Sequence, residues 1–226
     1  MFHWFLASDP RLVLLSFLYI TVVIVTAEAV RRGFRLPPDV SRKVVHVGVA
    51  AWALPTALWF HDPWWAAVCP LTFVGLNALS YRFRLMDLIE EEGRGNPGTI
   101  YFPLSFAAVI VLLWPLDGRA ASVAGLYAMG FGDAAASVIG RRWGRHRYRV
   151  GTGTKSWEGT AAMFLFSFAA ILLGVYPLLY QWAVLPALAA AAVATVAEAP
   201  ARRGTDNLTV PLSGAVTYWL VTRVLG

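Results

Sequence analysis

Residues Gly159 to Ala197 read GTAAMFLFSFAAILLGVYPLLYQWAVLPALAAAAVATVA and contain no Asp, Glu, Lys or Arg. A helix needs about 20 mostly apolar residues to cross the hydrocarbon core of a bilayer, and this run has about twice that length. Pro177, Gln181 and Pro186 interrupt its middle, so it predicts two spanning helices joined by a short turn. Similar gaps lie on either side. No charged residue falls between Arg11 and Glu28, in Val44 to His61, in Pro63 to Tyr81 or in Thr99 to Leu116. Ala120 to Gly140 is apolar except for Asp133, and Asn207 to Thr222 supplies a last span. The expected fold is all-α: a polytopic integral membrane protein of about eight transmembrane helices, forming one membrane domain over residues 1–226.

Composition excludes a water-soluble globule. The 226 residues are 58% hydrophobic and 14% charged, with a mean hydropathy of +0.59. A soluble domain carries about a quarter charged residues, so this chain lacks the polar surface to face water over most of its area. Lipid must cover it.

Short loops rich in Lys and Arg stay on the cytoplasmic side. The loops here alternate. Arg31, Arg32, Arg35, Arg42 and Lys43, then Arg82, Arg84 and Arg94, then the stretch from Arg141 to Lys155, then Arg202 and Arg203, all fall on one side. Only Arg11, Arg119 and Arg223, of 19 Lys and Arg, fall on the other. Both termini are therefore expected to be non-cytoplasmic. Trp4, Trp59, Trp64, Trp65, Trp114 and Trp182 fall at the outer ends, as an interfacial belt requires. The net charge of +6 is topological, and nucleic acid is not an expected partner. The expected location is the plasma membrane of a prokaryote, with the active site on the cytoplasmic side.

The N-terminus lacks a basic leader and a small-residue cleavage site before Glu28, so the first apolar stretch is expected to remain as an anchor. The single cysteine, Cys69, sits within the third span and suits a packed apolar role. Between Tyr81 and Gly98, Phe83, Leu85, Met86, Leu88 and Ile89 predict a short helix along the headgroup boundary, with Glu90, Glu91 and Glu92 on a solvated face.

The chemistry concentrates in GFGDAAASVIGRRWGRHRYRVGTGTKSWEGT, Gly130 to Thr160. Asp133 lies in an apolar span about 10 Å of helix from its cytoplasmic end. An ionised carboxylate at a helix centre costs on the order of 2.5 to 3.5 kcal/mol on the mildest insertion scale. Something must compensate it. An arginine of a neighbouring loop is one candidate; a divalent cation or a hydroxyl in a cytoplasmic cavity is the other. Six basic side chains and several glycines follow directly and can neutralise a polyphosphate. Mg²⁺ on phosphates uses one or two protein carboxylates, and Asp133 with Glu158 offers that number.

GTGTKS is not a phosphate loop of the Gly-x4-Gly-Lys-Ser/Thr type. Thr154 precedes Lys155, Arg149 occupies the earlier glycine position, and no strand is expected before it. Helix ends, whose exposed backbone N–H groups suit anions, are the expected phosphate site instead. In SRKVVHVG, spacings of four and three put Arg42, Lys43 and His46 on one helical face. His46 is either a general base for an alcohol or a buried structural histidine. In TDNLTVPL, Asp206 and Asn207 stand beside Arg202 and Arg203, where helix capping is the alternative to a site role. Glu198 closes the seventh span.

RKVVH, GDAAASVIGRRWG, TKSWEGT and DNLTVPL, in this order, resemble the polyprenol kinase family, which includes phytol kinase, dolichol kinase and the CTP-dependent diacylglycerol kinases. The resemblance covers roughly residues 41 to 212. Many members carry Thr after the Gly-Asp pair where this chain has Ala134. The resemblance implies transfer of a terminal phosphate, from CTP or possibly ATP, to the hydroxyl of a membrane lipid alcohol such as phytol, geranylgeraniol or a polyprenol. By position, Asp133 and Glu158 would hold Mg²⁺. Lys155, Ser156, Arg141 and Arg142 would engage phosphates, and Lys43, His46, Asp206 and Asn207 would complete the pocket. Asp133, His46 and Lys155 would be the catalytic residues. Diacylglycerol kinase and CDP-lipid synthase activities are the enzymatic alternatives. A transporter is the non-enzymatic one, although it should hold its ionisable groups near the midplane.

Overall fold

The computed structural model describes residues 8–83, 97–150, 153–201 and 204–225. Apart from Phe83, which ends the helix Pro63–Phe83, the expected headgroup helix, with its acidic run, lies outside the described residues, as do Trp4, Arg202 and Arg203. The described chain is almost entirely helical: α1 Asp9–Gly33, α2 Pro38–Ala51, α3 Ala53–Trp59, α4 Pro63–Phe83, α5 Gly98–Leu113, α6 Arg119–Tyr127, α7 Ala134–Trp143, α8 Trp157–Leu179, α9 Val184–Glu198 and α10 Asp206–Leu225.

Among the described residues, five helical stretches are long and apolar enough to cross a membrane: Asp9–Gly33, Gly98–Leu116, Arg119–Trp143, Trp157–Leu179 and Asp206–Leu225. The residues of the other expected spans form α2–α3, which break at Trp52, α4 and the shorter α9, none of which is among those five. The long apolar run divides where the sequence predicts. Helix α8 ends at Tyr180, whose φ of 53° turns the chain, and α9 starts at Val184.

Internal prolines explain two further details. Pro103 has no N–H to donate to Thr99, four residues back. Asn77 of α4 donates to that carbonyl instead, at 2.7 Å, and so ties α4 to α5. Pro55 likewise cannot donate to the carbonyl of Ala51, where α2 gives way to α3, and the Tyr127 hydroxyl approaches that oxygen at 3.5 Å.

Helix α6 runs without interruption through a π-helical turn, Ala128–Asp133, into α7. The apolar stretch of this rod is the most buried of the five spans, with 56% of 18 residues inside, whereas its α7 end has no buried residue. Its neighbours approach closely because small residues line the contacts. A Cβ on Gly125 would collide with the carbonyl of Pro211 in α10.

Hydrogen bonds sort the helix ends into two layers. In one, the Asp9 carboxylate accepts from the backbone N–H groups of His61 (3.1 Å) and Asp62 (2.8 Å). In the same layer Arg119 donates to the carbonyls of Ala57, Phe60 and His61, and Arg223 pairs with Asp117. The opposite layer holds the Glu28–Arg31 pair, the Asn77–Thr99 bond and the basic 141–155 segment. This division is the one the alternation of charged loops predicts.

The sequence reading placed no strand in that basic segment, and the structure differs. Arg147–Val150 (β1) and Gly153–Ser156 (β2) pair antiparallel, with Arg147 opposite Ser156 and Tyr148 opposite Lys155. The Tyr148 ring packs on Trp157 with centroids 4.8 Å apart, and its hydroxyl meets Thr160 Oγ1 at 2.6 Å. This anchoring to α8 stabilises strands too short to be stable alone.

Candidate active site

Asp133 closes the π-helical turn. Such turns insert an extra residue into a helix and recur at functional sites. Its glycines let it pack between two helices. A Cβ on Gly130 would strike Ala50 of α2, and one on Gly132 would strike Ser167 Oγ of α8. Asp133 is consequently held in the interior, 5% exposed.

Two ion pairs, each between a part-buried lysine and a buried carboxylate, stand here. Lys43, on α2, forms an ion pair with Asp133. Lys155, on β2, pairs with the carboxylate of Glu198 at the end of α9 and also donates to its main-chain carbonyl, at 2.7 Å. Charges at such depth persist only when paired and hydrogen-bonded. Both pairs line one cavity of about 410 Å³, together with Arg141 and Arg147. Four cationic side chains thus face two carboxylates. The lining has the charge excess needed to hold a polyphosphate that already carries one divalent cation.

The floor of the same cavity is the start of α8. Ser156 caps that helix by accepting from Gly159 N at 3.1 Å, and Ser156, Gly159 and Thr160 all face the cavity. Backbone N–H groups at a helix start attract anions. Helices α7 and α8 approach closely here, since a Cβ on Gly140 would lie 3.5 Å from Gly159 Cα. Asp206 lies within electrostatic reach of Asp133, Lys43 and Lys155. Asn207 is buried, and its Oδ1 accepts no hydrogen bond among the described residues.

The structure therefore brings Asp133, Lys43, Lys155, Ser156 and Arg141 to one cavity, with Asp206 nearby. It places three other candidates elsewhere. Glu158 is outside the cavity lining: its carboxylate accepts from the backbone N–H of His146 (3.1 Å) and meets His146 Nδ1 at 2.7 Å. Arg142 stacks over Trp143, 5.2 Å from the ring centroid. His46 is buried and stacks on Phe102, centroids 4.5 Å apart, where it lines a second, apolar cavity.

Glu198 and Arg147 line the same cavity and are absent from the sequence-derived set. A signal for Glu198 existed, since it is a lone acid at the end of AAAAVATVAE, as costly there as Asp133 in its own span. As oxygen donors, Asp133 and Glu198 fit Mg²⁺ that arrives on a nucleotide, because that ion takes one or two carboxylates and keeps phosphate and water ligands. Among the described residues no group of three or more His, Cys, Asp or Glu forms a cage for a metal held by protein alone.

Comparison with known proteins gives the same reading. The chain is 36% identical to the phytol kinase of Synechocystis sp. over 204 residues, covering 89% of this chain and 87% of that protein. It is 30% identical to the probable chloroplastic phytol kinase of Triticum aestivum, covering 81% of this chain and 67% of that one. A probable chloroplastic phytol kinase 1 of Oryza sativa subsp. japonica is 27% identical over 207 residues. No family model matches the chain, and no solved structure does. Apolar helices around a sunken, cation-lined cavity, with relatives of this kind, define a membrane-embedded kinase whose acceptor is an alcohol. The chain belongs to the phytol kinase family, within the polyprenol kinases.

Proposed function

We propose that this protein transfers the terminal phosphate of a nucleoside triphosphate, CTP or ATP, to the hydroxyl of an isoprenoid alcohol such as phytol or geranylgeraniol. The reaction takes place at the cytoplasmic face of a prokaryotic plasma membrane. The observation that carries this reading is the pair of bridges between a part-buried lysine and a buried carboxylate lining one polar cavity, Lys43 with Asp133 and Lys155 with Glu198.

Each bridge is neutral before substrate enters. When the nucleotide binds, Lys43 and Lys155 turn to its phosphate oxygens, joined by Arg141 and Arg147. Asp133 and Glu198, released by the lysines, would hold a Mg²⁺ ion that arrives with the nucleotide, and such an ion would supply neutralisation of phosphate charge. The acceptor oxygen forms a bond to the γ-phosphorus as the bond to the β-phosphate oxygen breaks, and the nucleoside diphosphate leaves. His46, which lines the adjoining apolar cavity and not the polar one, is assigned the hydroxyl proton of an alcohol that approaches from that side. Phosphoryl transfer asks a protein chiefly for alignment and charge stabilisation, and this lining offers both. The Ser156 hydroxyl and Thr160, which both line this cavity at the start of α8, complete the anion cradle.

The nucleotide products test the proposal. Reconstituted protein given isoprenoid alcohol and CTP or ATP should release nucleoside diphosphate in step with prenyl monophosphate. Release of pyrophosphate with a nucleotidyl-lipid would replace the kinase reading with that of a synthase.

A further inference from the structure

We infer that the apolar groove bounded by α1, α2–α3, α4 and α5 holds the hydrocarbon chain of the acceptor, and that the hydrogen-bonded Trp52–Ser16 pair at its far end sets the accepted chain length. This inference rests on the kinase reading above for the identity of the ligand, and on its own geometry for the site.

The cavity has a volume of about 380 Å³, within the range of small-molecule sites. Each helix contributes a stripe of side chains at helical spacing. On α1 these are Ser16, Ile20, Ile24 and Glu28, each four residues apart, and such rows lie along one face of a helix. The cavity therefore runs parallel to the helices. At 1.5 Å per residue, Ser16 to Glu28 spans about 18 Å, and Arg42 to Thr56 about 21 Å. An extended chain of four isoprene units is of this length; a polyprenol is several times longer.

The two ends differ in chemistry. At the end near the phosphate cavity stand Glu28, Arg31, Ser41, Arg42, Asn77 and Thr99, all part of the lining. At the far end stand Ser16, Trp52, Thr56 and Ala66, all buried. Their polar atoms are already satisfied. Trp52 Nε1 donates to Ser16 Oγ (2.9 Å), Ser16 to the Leu12 carbonyl (2.8 Å), and Thr56 to the Trp52 carbonyl (2.8 Å). The Trp52 ring is further held by stacking on Tyr19, centroids 4.3 Å apart. A floor with no unmet hydrogen-bonding demand accepts hydrocarbon without a desolvation penalty.

Helix α2 links the cavity to the chemistry. Arg42 faces the apolar cavity and Lys43 the polar one. At about 100° per residue, His46 lies about 40° from Arg42 and about 60° from Lys43 around the helix. Its ring, stacked on Phe102, lines the apolar cavity on the side of α2 that adjoins Lys43. A chain seated in the groove with its hydroxyl at this end meets the nucleotide over the first turn of α2.

Two measurements test the inference. Alcohols of two, three, four and more isoprene units are compared on wild-type protein and on Ala66→Phe, which fills the floor. The variant should lose about tenfold in kcat/KM for the four-unit alcohol relative to the two-unit one, the loss of burying about two methylene groups. Its nucleotide KM should stay unchanged. An equal loss at every length, or an unaltered length profile, overturns the inference. Independently of turnover and of variant folding, a four-unit alcohol with a photoreactive group at its tail should crosslink wild-type protein at the floor, near Ser16, Trp52 or Ala66. Crosslinks confined to lipid-facing residues such as Leu14 and Leu18 would show a bilayer-exposed tail and sink the proposal. If wild type phosphorylates no alcohol, the kinase reading fails, while the crosslinking still decides the groove.

Discussion

Lys155 donates from one Nζ to both the side chain and the main-chain carbonyl of Glu198, 43 positions further along the chain. The bond pins a polar hairpin to the end of an apolar helix, at a place where neither charge could stand alone. Its two roles, in folding and in phosphate binding, can be separated.

Lys155→Met should leave the buried Glu198 carboxylate without its partner and lower stability on the order of 3 kcal/mol. It should also raise the nucleotide KM or lower kcat. Adding Glu198→Gln removes the unpaired charge, so the double variant should recover most of the thermal stability and none of the activity. Recovery of both would mean that the pair is structural only.

The two glutamates should separate in their magnesium dependence. Glu198 lines the polar cavity and Glu158 engages His146 outside it. Glu198→Gln should therefore raise the Mg²⁺ concentration for half-maximal activity at least about tenfold, the loss of one charged ligand. Glu158→Gln should shift it by less than about twofold. Titration of activity with Mg²⁺ for each variant checks this, and a larger shift for Glu158→Gln would return the metal to the pair expected from sequence.

These contrasts show what could be read from the sequence. The helices were legible because lipid imposes long charge-free runs, and Asp133 because a lone carboxylate in such a run demands a partner. Which partner was not legible. Lys43 meets Asp133 across 90 positions, and no local pattern encodes that contact. Glu158, three residues from Lys155, looked nearer to the chemistry than Glu198, yet the first turn of α8 carries it to His146. The β1–β2 hairpin was hidden because RYRV and GTKS are short and polar, and only packing on Trp157 and Thr160 holds them. The π-turn was hidden in a run of small residues that suits an ordinary α-helix equally well.

At the opposite membrane end, Arg119 donates to the Ala57 carbonyl of α3 and to two carbonyls of the α3–α4 turn, and stacks over Trp114 at 4.1 Å. Arg119→Leu should cost about 1.5–3 kcal/mol, the range for hydrogen bonds to a charged group. It should leave the KM values for nucleotide and alcohol unchanged in the protein that remains folded. Thermal unfolding in detergent together with steady-state kinetics tests this, and a selective change in nucleotide KM would contradict the separation of the two layers.

Sidedness follows from the same two layers. In a Cys69→Ala background, Arg145→Cys should react with a membrane-impermeant maleimide only from the cytoplasmic side, and Asp117→Cys only from the other. Both positions are exposed. The reverse pattern would place the polar cavity on the wrong face for cellular nucleotide.

The most direct measurement compares wild type with Asp133→Asn in proteoliposomes supplied with γ-labelled CTP or ATP and a four-unit isoprenoid alcohol. The label should move to the lipid in wild type, and transfer should fall at least about a thousandfold in the variant, as loss of a principal electrostatic group requires, while the variant remains folded and inserted. Undiminished labelling of the alcohol by Asp133→Asn would contradict the assignment of this cavity as the site of phosphoryl transfer.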